Sequence, residues 1–122
     1  MSRWTGISKN KYRNVKTYVG DELLDSRKEA HRYTELKLLQ RGGVIAQLER
    51  QRRFELQPGY VNNQGKKVLP IYYQTDFYYW DNDRQCWVAE DVKSPATREN
   101  KVYILKKKMF GYKYPEILFL ET

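Results

Sequence analysis

Residues 68–80, VLPIYYQTDFYYW, are an almost unbroken run of aromatic and β-branched side chains with one carboxylate, Asp76, inside it. Such a run reads as a β-strand. Asp81-Asn82-Asp83 marks a tight turn, and QCWVAEDVK at 85–93 reads as the returning strand. Asp76 and Asp91 sit at similar distances from the centre of that turn. Adjacent antiparallel strands lie about 5 Å apart, so the two acids are expected to face one another. Two anions so placed repel unless a cation or a proton lies between them.

The other elements follow from local signals. VKTYVGDELLD at 15–25 is predicted to be a hairpin turning at Gly20-Asp21. Ser26 and Glu29 make a capping box, and Ala30, Tyr33, Leu36 and Leu39 recur at helical spacing until Gly42-Gly43. VIAQLERQRRFELQP then reads as a long strand, bent or bulged near residues 50–52. Pro58-Gly59 and residues 62–65 are turn signals. After a loop, SPATREN, a second helix is expected over about residues 99–113, with Val102, Leu105, Met109 and Tyr112 on one face. Pro115 ends it, and EILFLE at 116–121 reads as the last strand. The order predicts an α+β (α/β) domain: a mixed central sheet flanked by helices, with a helix crossover to the C-terminal strand.

The 122 residues suit one domain, read as a flexible basic arm at 1–14 and a single domain at 15–122. No apolar run approaches the roughly 20 residues of a membrane span, and the N-terminus lacks a signal-peptide core. The single cysteine, Cys86, excludes an internal disulfide and a cysteine-based zinc cluster. These features predict a cytoplasmic protein. The single histidine, His31, excludes a multi-histidine metal site. No glycine-rich phosphate loop is present, which argues against ATP or GTP chemistry and a nucleotide cofactor.

The charge points to an anionic partner. The chain carries 23 Lys and Arg against 15 Asp and Glu, a formal +8. Lys9, Lys11 and Arg13 lie in the arm, and Lys101, Lys106, Lys107 and Lys108 on the second helix. Nucleic acid is the commonest partner of such a surplus, although basic runs also serve as solvated faces. Neither cluster has the large opposing apolar face of a membrane-binding helix.

Asp91 and Lys93 alternate onto one face of their strand, with Val92 on the other. Two carboxylates and an ammonium form the side-chain set of a metal-dependent phosphodiesterase: Asp76, Asp91 and the Val92 carbonyl suit a hard cation, Mg²⁺ or Mn²⁺, and Lys93 suits the attacking water or the scissile phosphate. Glu29 is a third candidate acid. It serves the capping box, yet shares a helix face with Tyr33 and Leu36 that points toward the sheet. Glu90 rivals Asp91, but strand parity sets it opposite Lys93.

With DSRKEAHRYTELKLLQRGGVI, LERQRRFELQP, YYQTDFYYW, VAEDVKS and YILKKKMFGYKYP in this order, the chain resembles the PD-(D/E)xK nuclease superfamily over residues 15–121. It looks most like small phage and prophage nuclease-like proteins. The resemblance implies a restriction-endonuclease-like core and a Mg²⁺- or Mn²⁺-dependent DNA endonuclease, acting on branched or recombination DNA as Holliday-junction resolvases do. It also implies a homodimer, in the cytoplasm of a bacterial host. It places Glu29, Asp76 and Asp91 at the metal-binding acids and Lys93 at the catalytic lysine. Gln51, Tyr103, Lys106 and Lys107 fall at supporting polar positions, and Glu90 stands beside the acid-x-Lys core. The proline that commonly precedes the first motif aspartate is Thr75 here. The competing class is a DNA-binding accessory protein that keeps the fold and uses only its basic face.

Overall fold

The structure is a computed structural model that describes residues 17–19, 22–24 and 27–122, with side chains from residue 27 onward. The basic arm, Ser26 of the expected capping box and the Gly20-Asp21 turn fall outside the described residues. Strands β1 (Thr17–Val19) and β2 (Glu22–Leu24) pair antiparallel, as the hairpin reading expects. Helix α1 (Arg27–Arg41) follows. It buries Glu29, Ala30, Tyr33 and Leu36 along one stripe. It ends where the Gly42 amide bonds the Leu38 carbonyl at 3.0 Å and Gly43 takes φ +80°, a left-handed conformation that suits glycine.

The segment expected as one long strand is two. β3 (Ile45–Arg50) and β4 (Arg53–Gln57) join different sheets. A bulge interrupts β3 between Ala46 and Glu49, and Gln47 and Gln51 take φ 56° and 54°. The aromatic run is divided as well. β7 (Ile71–Gln74) pairs with β4, whereas β8 (Phe77–Asp81) pairs with β3 and with β9 (Cys86–Asp91). Between β4 and β7 lies a separate ribbon of β5 (Tyr60–Val61) and β6 (Lys67–Val68).

The expected SPATREN loop contains a one-turn helix, α2 (Pro95–Arg98). Ser94 caps it, its side chain accepting from the Thr97 amide, and proline stands at the helix start, where its missing N–H costs nothing. Asn100 caps α3 (Lys101–Lys113) in the same way, through the Tyr103 amide at 3.1 Å. β10 (Ile117–Glu121) then lies parallel to β9, which completes the mixed order β10-β9-β8-β3. No helix among the described residues is long and apolar enough to cross a membrane.

The main sheet has a core on each face. Alternation along β8 and β9 sends Phe77, Tyr79 and Val88 toward Tyr33 and Leu36 of α1. It sends Tyr78 and Ala89 the other way, toward Tyr103 and Phe110 of α3 and Phe54 and Tyr73 of the β4–β7 pair. Val102, Leu105, Met109 and Tyr112 share a face of α3, but of these only Met109 packs against the core: Val102, Leu105 and Tyr112 are 63, 59 and 90% exposed. The aromatic side chains displaced them. Phe110 meets Phe54 edge-on at 5.0 Å and lies 5.2 Å from Tyr114, and such pairs add energy beyond their buried area. Phe110→Ala is therefore expected to cost about 3–5 kcal/mol. Leu105→Ala should stay within about 0.5 kcal/mol. Urea unfolding of the two variants reads the difference.

Candidate active site

The site begins at the break between β7 and β8. Thr75 is fully buried, and its amide donates to the Arg52 carbonyl at 2.9 Å. The Gln51 amide donates to the Asp76 carbonyl, also at 2.9 Å. These two bonds stitch one break to the other, so Asp76 stands at the corner where the chain leaves the small sheet for the main one. Gln51 thus contributes its backbone here, and its side chain is exposed.

Phe77 lies opposite Glu90 in the β8–β9 register, which sets Asp76 across from Asp91. The two aspartates hold each other through backbone amides. The Asp76 amide donates to Asp91 Oδ1 at 2.9 Å, and the Val92 amide donates to Asp76 Oδ2 at 2.7 Å. The Tyr73 hydroxyl also donates to Asp91 Oδ2. Asp91 is fully buried. Burial pushes its carboxyl above the ordinary aspartate range, with Glu121 adding to the rise; Lys93 and the Asp76 amide oppose it. Lys93 Nζ lies 5.6 Å from the centroid of the Tyr103 ring, and Tyr103 in turn lies 6.3 Å from Tyr73. Asp91, Lys93, Tyr73 and Tyr103 therefore share the α3 side of the sheet.

Glu90 faces α1. Its carboxylate accepts from Arg32 Nε at 2.5 Å and Nη2 at 3.0 Å, from the Tyr79 hydroxyl at 2.7 Å and from Thr122 Oγ1 at 3.1 Å. With its lone pairs so engaged, Glu90 anchors α1 to the sheet, and it raises the Arg32 pKa while burial, helped by Glu90, raises that of Tyr79. Glu29 is buried on the same helix. The start of α1 reaches the end of β9, where Lys28 Nζ lies 3.4 Å from the Lys93 carbonyl. Among the described residues, however, no group of three or more His, Cys, Asp or Glu side chains is gathered closely enough to hold a metal ion, so Glu29 does not close on the aspartate pair here.

Three contributors were not legible in the sequence. Tyr73 lies in the aromatic run with nothing to mark its hydroxyl for Asp91. Arg32 is one of many basic residues, and its pairing with Glu90 spans 58 positions. Glu121 reaches the site because β10 is parallel to β9 with Glu121 beside Asp91. The Tyr103 hydroxyl donates to Glu121 Oε2, and Lys107 Nζ lies 3.1 Å from Oε1. The Tyr103 hydrogen bond holds Glu121 below the ordinary range, helped by Lys107. Lys107, expected at phosphate, is thus paired. Lys101 and Lys108 are exposed, and Lys106 is half-buried. A groove of about 320 Å³, lined by Arg98, Tyr103, Lys107, Lys108 and Glu121 among others, runs along α3 beside the site. Lys9, Lys11 and Arg13 lie outside the described residues.

The donor chemistry fits a hard divalent cation. The paired carboxylates and the nearby Val92 carbonyl are all oxygen donors. The softer groups lie elsewhere: Cys86 pairs with Asp81 at the far end of β9, and the His31 side chain is 81% exposed on α1. The fold and these side chains define a mixed α+β protein with a carboxylate pair, Asp91 fully buried and Asp76 half-buried, beside a lysine. The chain belongs to the family described as "Protein of unknown function (DUF1064)", which matches residues 9–120. No curated protein and no solved structure matches it.

Two outcomes are expected. Arg32→Ala leaves the fully buried Glu90 without its cation and should cost about 3 kcal/mol in urea unfolding, at the low end for a broken buried pair because Arg32 keeps 25% of its side chain exposed. The second concerns pH. A carboxyl whose folded pKa is raised stabilises the fold fully below its unfolded pKa, about 3.9, and loses that contribution as pH rises through the folded value. In EDTA, Asp91→Asn should therefore match wild type near pH 3 and melt progressively higher than wild type as pH rises toward neutrality. Thermal melts across that range check this, and an offset independent of pH would contradict it.

Proposed function

We propose that the chain is a metal-dependent DNA endonuclease of the PD-(D/E)xK type. The observation that carries the reading is the reciprocal clasp of Asp76 and Asp91, with Lys93 on the Asp91 face of the same strand end. Holding the fully buried Asp91 carboxylate against the half-buried Asp76 opposes their repulsion, and a bound cation offsets that cost. The order of the acids and the lysine along the chain, and its resemblance to that superfamily, support the same reading.

In this reading Asp76, Asp91 and the Val92 carbonyl hold Mg²⁺ or Mn²⁺, with Glu29 contributing through water. The bound cation supplies a lowered pKa for the attacking water and neutralises charge on the scissile phosphate. Lys93 orients that water or offsets the charge that develops on the phosphate. Tyr73 fixes the Asp91 carboxylate by its hydrogen bond, and Tyr103 lies beneath the Lys93 ammonium. The exposed Lys101 and Lys108, with the basic arm, grip the phosphate backbone without reading bases. A branched substrate and a homodimer with two cutting sites complete the proposal; they rest on the resemblance and on the geometry that symmetric cutting of a four-way junction demands.

The test is cleavage of a labelled panel: linear duplex, single strand, 5′ flap, fork and four-way junction, with matching RNA. Wild type and Lys93→Ala are run with Mg²⁺, Mn²⁺ or EDTA. Wild type should cut DNA only with metal, and Lys93→Ala should lose about 100-fold or more. Shifted bands without cutting, unchanged by Lys93→Ala, would replace the nuclease with a DNA-binding accessory protein.

A further inference from the structure

The β5–β6 ribbon stands apart from both sheets. Its turn is internally built. Asn62 Oδ1 accepts from the Gln64 and Lys66 amides, each at 2.9 Å, and Gly65 takes φ +77°. Asn62 is thereby occupied with the turn, whereas Asn63, Gln64, Lys66 and Lys67 are exposed at and beside the tip. Tyr60, Val61 and Leu69 are 50, 66 and 74% exposed, a large apolar content for so small a ribbon.

The chemistry of this surface selects among partners. No Asp or Glu occurs between Glu55 and Asp76, while Lys66 and Lys67 fall within that span. Lysine is depleted at protein–protein interfaces, and a pure protein-docking patch would not place a lysine pair beside its apolar residues. Phosphate attracts both lysines, exposed Asn and Gln amides match base edges, and apolar side chains contact thymine methyl groups. A two-stranded ribbon also fits the major groove of duplex DNA, about 12 Å wide.

The ribbon is also tied to the site. It grows from β4 and β7, and Tyr73 of β7 is the residue that bonds Asp91. The ten residues from Tyr73 to Asn63 span at most about 35 Å, close to one helical turn of DNA at about 34–36 Å. A duplex engaged at Asp91 and Lys93 can meet the ribbon tip within one turn.

We infer that residues 58–70 form a DNA-groove arm, with Lys66 and Lys67 on phosphates and Asn63 and Gln64 toward the base edges. The inference rests on the nuclease reading and extends it to a second contact with the substrate.

The test is equilibrium binding of the full chain to fluorescent DNA and RNA duplexes in EDTA over a salt series, for wild type and Lys66→Ala/Lys67→Ala. Thermal melts verify that the variant is folded, and cleavage with Mn²⁺ is run in parallel. Loss of two phosphate contacts should lower the log–log salt slope by about 1.8 and weaken binding at 0.1 M salt by about tenfold or more. Unchanged affinity and slope, in a variant whose wild type binds and cuts DNA, would overturn the arm and leave the nuclease standing. A wild type that neither binds nor cuts DNA would overturn the nuclease reading and the arm with it. A loss confined to an RNA duplex would overturn the DNA assignment.

Discussion

Two backbone amides aimed at two carboxylates organise this molecule. The Asp76 amide serves Asp91 and the Val92 amide serves Asp76, so neither acid is set without the other. This requires the chain to turn out of the small sheet at Thr75-Asp76 and to pair with β9 from Phe77 onward. It also requires β3 and β4 to part company at Gln51, where a non-glycine residue holds φ 54° next to the Asp76 carbonyl. Backbone strain of this kind persists where the surroundings over-determine it, and it collects at working sites.

Strand parity then separates two adjacent acids into different tasks. Glu90 faces α1 and is saturated by Arg32, Tyr79 and Thr122. Asp91 faces α3 with fewer donors and a raised pKa born of burial. The first arrangement suits fixing a helix. The second suits a group whose charge is costly until a cation or the nearby lysine offsets it. Glu121, brought beside Asp91 by the parallel β10, extends the acidic side of the pair, and Tyr103 and Lys107 hold it.

The parts legible in the sequence were those governed by local signals. Helical spacing with Gly42-Gly43, the turn after Trp80, the Asp91–Lys93 alternation and the C-terminal crossover all follow from short-range rules. The division of the aromatic run at Thr75-Asp76 was not legible, because every residue on either side has strand propensity and the break is fixed by Arg52 and Gln51 from another strand. The packing face of α3 was missed because aliphatic spacing favoured Val102 and Leu105, whereas the cavity beside Phe54 is filled by Phe110 and Tyr114. Ser94-Pro95 carried a helix-start signal that the loop reading of SPATREN passed over. Tyr73, Arg32 and Glu121 depend on long-range register, which composition does not encode.

The most direct measurement is calorimetric titration of Mn²⁺ into metal-free wild type, Asp76→Asn, Asp91→Asn and Lys93→Ala. If the clasped aspartates form a cation site, wild type binds Mn²⁺, both asparagine variants lose at least about tenfold in affinity, and Lys93→Ala binds as well as wild type or better, since a nearby positive charge is removed. Absence of binding by folded wild type, or asparagine variants that bind Mn²⁺ as tightly as wild type, would contradict the account.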